Sequence, residues 1–91
     1  MTPERYEHYR AALAIIDDIG PSKLHPAERE TLLACAEDLL LSDDALTVRG
    51  RRTEALTLLE RLVESERWLE LTARGLGDHI AACGPATLVA A

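Results

Sequence analysis

Leucine and alanine recur at helical spacing along most of this chain, and this periodicity constrains the fold more than any other feature. In the segment PAERETLLACAEDLLL, residues 26–41, six apolar side chains share one broad face of a helix at about 100° per residue: Leu32, Leu33, Cys35, Ala36, Leu39 and Leu40. The sequence shows no alternation of apolar and polar residues of the kind that is typical of a strand. The pattern therefore predicts an all-α fold.

Breaks in this periodicity divide the chain into four predicted helices. Thr2 and Pro3 are typical of a helix start, and Gly20-Pro21 of a helix end. Gly50, which lies among three arginines, indicates a loop over residues 45–52. We place the helices at about 3–19, 26–41, 53–65 and 69–83, in a small antiparallel four-helix bundle that forms a single domain over residues 1–91.

Two glycines interrupt the fourth predicted helix. Gly75 and Gly77 each weaken a helix by roughly 1 kcal/mol relative to alanine. We expect the close approach of a neighbouring backbone to compensate for this loss.

The charge and the cysteine content bound the class of protein. A formal net charge of −6 argues against a general attraction to nucleic acid or to an anionic membrane. We find no signal peptide and no apolar run long enough to cross a bilayer, and two cysteines do not make a disulfide scaffold. We therefore expect an acidic cytoplasmic protein with no membrane partner. Arginine outnumbers lysine nine to one, which indicates a high-GC genome, and we expect a bacterial source.

The two cysteines differ in their sequence surroundings. Cys35 lies on the leucine-rich face of the second helix, and we expect it to be an inert core residue. His79 and Cys83 are four residues apart, a spacing that suits metal binding or an activated thiol. Zinc needs three or four ligands, and the sequence supplies no further ligand motif. A metal or thiol-redox protein is therefore a minor alternative, and we expect no metal and no cofactor.

Motifs of catalysis are missing from the sequence. It contains no glycine-rich phosphate loop, no GxSxG turn and no HExxH pair. We therefore expect a protein that is not an enzyme, and infer no small-molecule substrate.

The width of the apolar faces predicts a contact with another protein. On the first three helices these faces are wider than the roughly 100° stripe that one core contact needs. We expect an interaction or regulatory module that forms a homodimer or docks on a larger protein partner. The candidate partner-binding residues are Tyr6, Tyr9, Leu13 and Trp68. The alternative is that the aromatic rings fill the core, and this alternative is favoured for Trp68.

One basic cluster, VRGRR, lies at residues 48–52. Arg49, Arg51 and Arg52 are candidates for contact with phosphate or with an acidic partner. The alternative is a solvated loop that balances the acidic residues of the third helix. Three arginines neutralise few phosphates, so a nucleic-acid partner is not expected.

A second possible function follows from residues 24–40, LHPAERETLLACAEDLL. This segment resembles the opening helix of the quorum-regulator type of helix-turn-helix domain. The residues that match are Leu24, Pro26, Glu28, Arg29, Glu30 and Leu33. The resemblance implies a DNA-binding transcription regulator. It covers this segment alone, and the next predicted helix is leucine-rich and acidic rather than a polar recognition helix. We assign no family and keep DNA binding as the alternative function.

Overall fold

The computed structural model describes residues 2–85, and these residues form four α-helices and no strand. The helices are α1 (Pro3–Asp18), α2 (Pro26–Leu41), α3 (Ala45–Glu64) and α4 (Glu70–Ala82). The predicted all-α bundle is confirmed, and α2 has the predicted bounds. Residue 1 and residues 86–91 of the predicted domain lie outside the described part.

Side chains at the helix starts satisfy backbone N–H groups that have no partner within the helix. The Thr2 hydroxyl accepts a hydrogen bond from the Arg5 N–H at 3.2 Å. At the start of α2 the Glu28 carboxylate accepts one from the His25 N–H at 3.0 Å. These contacts begin α1 and α2 where the sequence predicts them.

The third helix corrects the predicted loop over residues 45–52. It begins at Ala45 instead of residue 53, because the Asp44 carboxylate accepts a hydrogen bond from the Thr47 N–H at 2.9 Å. Val48 is fully buried in the core, so the first turns of α3 contribute to packing. Gly50 therefore lies inside a continuous helix, and its helix cost of about 1 kcal/mol is offset by the burial of neighbouring residues.

The connection between α3 and α4 contains a left-handed residue. Glu66 has φ of 63°, a conformation that glycine usually takes at this position. The Glu66 N–H donates to the Val63 carbonyl at 3.0 Å, and the Arg67 N–H donates to the Leu62 carbonyl at 3.2 Å. These bonds form a Schellman motif that satisfies the last carbonyls of α3 and turns the chain sharply toward α4.

Contacts between opposite helix ends show the antiparallel arrangement. Arg29, near the start of α2, binds Asp17, near the end of α1, at 2.7 Å. Arg5, near the start of α1, donates from Nε to the Cys83 carbonyl just beyond α4, also at 2.7 Å. Each helix packs against the next one, and α1 also packs against α4. The four helices therefore form a closed ring around one core.

Arg5 joins three helix ends on the side of the ring where α1 begins. Besides its bond to the Cys83 carbonyl, its Nη2 donates to the Leu39 carbonyl at 2.9 Å and to the Leu40 carbonyl at 2.8 Å. The last turn of α2 contains no basic residue of its own. The guanidinium of Arg5 therefore supplies both hydrogen bonds and positive charge where carbonyls lack partners within the helix.

The core is aliphatic, and among residues 2–85 no polar or charged residue is buried. Its largest fully buried side chains are Ile16, Leu32, Leu39, Leu62, Leu76, Ile80 and Val48. Gly77 permits close packing of α4 on α3, since a Cβ there would lie 3.2 Å from Leu56 Cδ2. The expectation that a neighbouring backbone approaches both glycines is wrong, because the near atoms at Gly77 belong to the side chains of Leu56 and Leu59 and nothing lies within 4 Å of such an atom at Gly75.

Candidate functional site

An open groove runs between α3 and α4 and has an apolar floor. Leu56, Leu59 and Val63 line it from α3, and Ala73 and Gly77 line it from α4. Its volume is about 440 Å³, within the range of about 300–1,000 Å³ that is common for ligand clefts. Leu56 keeps 37% of its surface exposed even though it belongs to the leucine-rich face of α3. We call this feature the α3–α4 groove.

The rim of the α3–α4 groove is predominantly acidic. Its charged residues are Glu60, Glu64, Glu70, Asp78 and Arg74. Arg74 binds Glu70 at 2.9 Å, and both side chains are largely exposed. Within residues 2–85 the other three rim carboxylates form no salt bridge. The groove therefore presents uncompensated negative charge on both sides of an apolar floor.

The predicted aromatic anchors occupy two different environments. Tyr6 is 45% exposed and stacks on Tyr9 with ring centroids 6.3 Å apart. Tyr9 packs against the core, and burial, with a smaller effect of the Glu37 carboxylate, raises the pKa of its phenol. Leu13 is half-buried. Tyr6 is thus the most accessible of the predicted anchors on α1.

Trp68 lies in the core and not on a contact surface. It is only 6% exposed, and its indole N–H donates to the Lys23 carbonyl at 2.7 Å. The Schellman motif at the end of α3 turns the chain so that this ring points inward. This burial contradicts the candidate partner-binding role of Trp68 and agrees with the core alternative that the sequence favours.

The three arginines of the basic cluster do not form one free basic face. Arg51 binds Glu54 at 2.9 Å and Asp38 at 2.7 Å, and these hydrogen bonds raise the pKa of its guanidinium. Arg49 is exposed, whereas Arg52 is half-buried and its Nε is buried without a hydrogen-bond partner in the described residues. The charge of Arg51 is therefore already compensated within the protein.

The geometry around His79 and Cys83 favours packing over chemistry. The Cys83 thiol donates to the His79 carbonyl at 3.3 Å, and burial raises its pKa to about 11. His79 Nδ1 lies 3.0 Å from His8 Nδ1 on α1, so one ring donates to the other. In residues 2–85 no group of three or more His, Cys, Asp or Glu residues has the geometry of a metal site.

Cys35 is buried, as the sequence predicts. Desolvation raises the pKa of its thiol to about 11, with a smaller contribution from the Glu54 carboxylate. A thiol of this pKa is overwhelmingly protonated at neutral pH and is a poor nucleophile.

The pair formed by α2 and α3 differs from a helix-turn-helix unit. Arg51 of α3 contacts Asp38 near the end of α2, and Arg67 beyond α3 binds Glu28 at the start of α2 at 2.6 Å. Contacts at both ends mean that the two helices lie side by side along their length. Helix-turn-helix motifs instead cross at about 90–120°.

The groove itself was not predicted from the sequence, because all its leucines fit the core pattern. The one local signal is the i,i+4 pair Glu60 and Glu64, which flanks them on the same helix.

Within residues 2–85 no helix is both long and apolar enough to span a membrane. Comparison with protein-family models, with curated proteins and with solved structures finds no match for this chain.

Proposed function

We propose that this protein is a non-enzymatic interaction module that docks on a protein partner through the α3–α4 groove. The observation that carries the proposal is the apolar floor between two packed helices, in which Leu56 is 37% exposed and Val63 is half-buried. Grooves of this kind receive the apolar face of a helix in other complexes. No polar side chain is buried within residues 2–85, so the floor lacks the fixed polar groups that orient a small substrate.

Self-association is a separate proposal and uses a different surface. A dimer that joined two α3–α4 grooves face to face would place like charges opposite one another, which is unfavourable. The exposed ring of Tyr6, stacked on Tyr9, is the better surface for a homodimer. Sedimentation over a micromolar concentration range tests this proposal, and Tyr6→Ser should shift the protein toward monomer. A wild-type protein that stays monomeric throughout would contradict it.

Two features disfavour the DNA-binding alternative. The side-by-side packing of α2 and α3 provides no projecting recognition helix, and the charge of Arg51 is engaged by two carboxylates. Arg49 remains exposed and can approach phosphate, but a single arginine supplies little affinity.

We place the site of action in a bacterial cytoplasm, where buried free thiols such as Cys35 and Cys83 stay reduced.

Site-specific photo-crosslinking in the native cell tests docking through the groove. A photo-reactive phenylalanine derivative replaces Glu60 on the groove rim in one variant and Glu7 on α1 in a control variant. The variant modified at position 60 should give a discrete adduct with another protein, and Leu56→Glu in the same chain should abolish it. Absence of an adduct from position 60, or the same adduct from both positions, would overturn the proposal.

A further inference from the structure

We propose that the segment received by the α3–α4 groove is a basic amphipathic helix, an inference that rests on the proposed function and adds the chemistry of the partner. The groove is lined by residues 56–64 of α3 and 70–78 of α4. At a rise of roughly 1.5 Å per residue, each of these segments extends about 12 Å, or two helical turns. An occupant of matching length presents apolar side chains at positions i, i+4 and i+7.

The floor determines the apolar part of the occupant. On the α3 side the floor is built from large aliphatic side chains, among them Leu56 and Val63. On the α4 side it is built from Ala73 and Gly77, and the absence of a side chain at Gly77 lets Leu56 and Leu59 pack close to the α4 backbone. The floor is therefore shallow, and it favours aliphatic side chains that lie across Leu56 and Val63.

The rim determines the charge of the occupant. Glu60 and Glu64 stand one helical turn apart on α3, and Asp78 lies on the α4 side. The one rim cation, Arg74, is already paired with Glu70 at 2.9 Å. Lysine or arginine on both flanks of an apolar stripe complements this arrangement, whereas an acidic helix is repelled.

The same charges disfavour other occupants. A second copy of this chain carries a net charge of −6 and brings further carboxylates to the rim. Nucleic acid is excluded from the groove because its phosphates meet the same negative rim. The partner is therefore a protein with an exposed basic amphipathic helix.

Fluorescence anisotropy with two synthetic peptides tests the inference. One labelled peptide carries leucine at i, i+4 and i+7 with lysine elsewhere, and the other replaces each lysine by glutamate. The full-length protein should bind the lysine peptide with a dissociation constant in about the micromolar range and the glutamate peptide at least about tenfold more weakly. Raising the salt from about 50 mM to about 500 mM should weaken binding without abolishing it, since the apolar contact persists.

Matched variants separate the groove from general charge attraction. Glu60→Gln with Glu64→Gln should raise the dissociation constant about fivefold, since rim charges contribute modestly. The control variant, Glu7→Gln with Glu30→Gln, removes the same charge from exposed positions on α1 and α2 and should change it less than about twofold. Equal weakening in both variants would overturn the inference.

The remaining outcomes distinguish the inference from the proposed function. Equal affinity for both peptides, lost in Leu56→Ala, would overturn the basic partner and leave docking in the groove intact. Binding of neither peptide would also overturn the basic partner, and the photo-crosslinking result then decides the proposed function independently. Circular dichroism of each variant verifies that the helices of the bundle are retained.

Discussion

Replacement of Arg5 by alanine should destabilise the bundle more than replacement of Arg10, the other arginine on α1. The change removes three charge-assisted hydrogen bonds, to the carbonyls of Cys83, Leu39 and Leu40. A hydrogen bond to a charged group contributes about 1.5–3 kcal/mol, but water reaches part of this site after truncation, so the three do not add fully. We expect Arg5→Ala to lower the free energy of unfolding by about 2–4 kcal/mol.

This loss is a large fraction of the stability of such a small domain. At about 0.05–0.15 kcal/mol per residue, the whole chain is stabilised by roughly 5–14 kcal/mol. Urea denaturation followed by circular dichroism measures the change as a lower midpoint with an unchanged slope. In thermal unfolding, each kcal/mol corresponds to about 4–8 °C in Tm for a domain of this size.

Two further variants test the physical reasoning behind the Arg5 prediction. Arg5→Lys keeps the positive charge but loses the planar fork, so its stability should fall between wild type and Arg5→Ala. Arg10→Ala, at an exposed arginine on the same helix, should change stability by less than about 0.5 kcal/mol. An Arg5→Ala variant as stable as Arg10→Ala would refute the role of Arg5 in capping α2 and α4.

Three other predictions concern the buried thiols, the paired carboxylate of Glu28 and the glycine inside α3. Burial raises the pKa of the Cys35 and Cys83 thiols to about 11, so at pH 8 only about one part in a thousand of each is ionised. Both should therefore resist thiol reagents until urea unfolds the chain, and labelling of the native protein would contradict this. Hydrogen bonds from Arg67 lower the pKa of Glu28, so the stabilisation that this carboxylate contributes is complete at neutral pH and is lost as the pH falls through the lowered pKa. Glu28→Gln should therefore lower the urea midpoint at pH 7, and the midpoints of the variant and the wild type should converge in acid. Gly50→Ala should raise stability by about 1 kcal/mol, because a Cβ there meets nothing within 4 Å, and no gain would argue against a continuous α3.

Local signals in the sequence were sufficient for the fold class and for α2. The leucine spacing of α2 and the pairing of Pro26 with Glu28 at its start are visible without any knowledge of the neighbouring helices. Local signals also placed α1 and α4 well, because no predicted boundary of these two helices differs from the structure by more than one residue. Helix ends marked by a proline or a glycine were thus predictable, whereas the capping acid Asp44 at the start of α3 was missed because Gly50 indicated a loop.

The start of α3 and the environment of Trp68 depend on contacts between distant residues. The burial of Val48 and the salt bridge from Arg51 to Asp38 hold residues 45–52 in a helix despite Gly50. Glu66 occupies a left-handed position that the sequence marks with no glycine, so this turn was not predictable, although the core role that the sequence favours for Trp68 agrees with its burial.

The α3–α4 groove depends on how two faces fit together. Leucines of α3 share one helical face, and only the packing of α4 decides that Leu59 is buried while Leu56 remains partly exposed. Gly77 sets this packing distance, and its effect on Leu56 cannot be derived from helix periodicity.

The contact between α1 and α4 has a kinetic consequence. Successive helices pair through short connections, whereas Arg5 and Cys83 are 78 positions apart and His8 and His79 are 71 apart. Closing so long a loop costs conformational entropy, so local helix pairs are expected to form first and this contact last. Interactions that form after the transition state chiefly slow unfolding, so the contact between α1 and α4 should determine the lifetime of the native state rather than the rate at which it is reached.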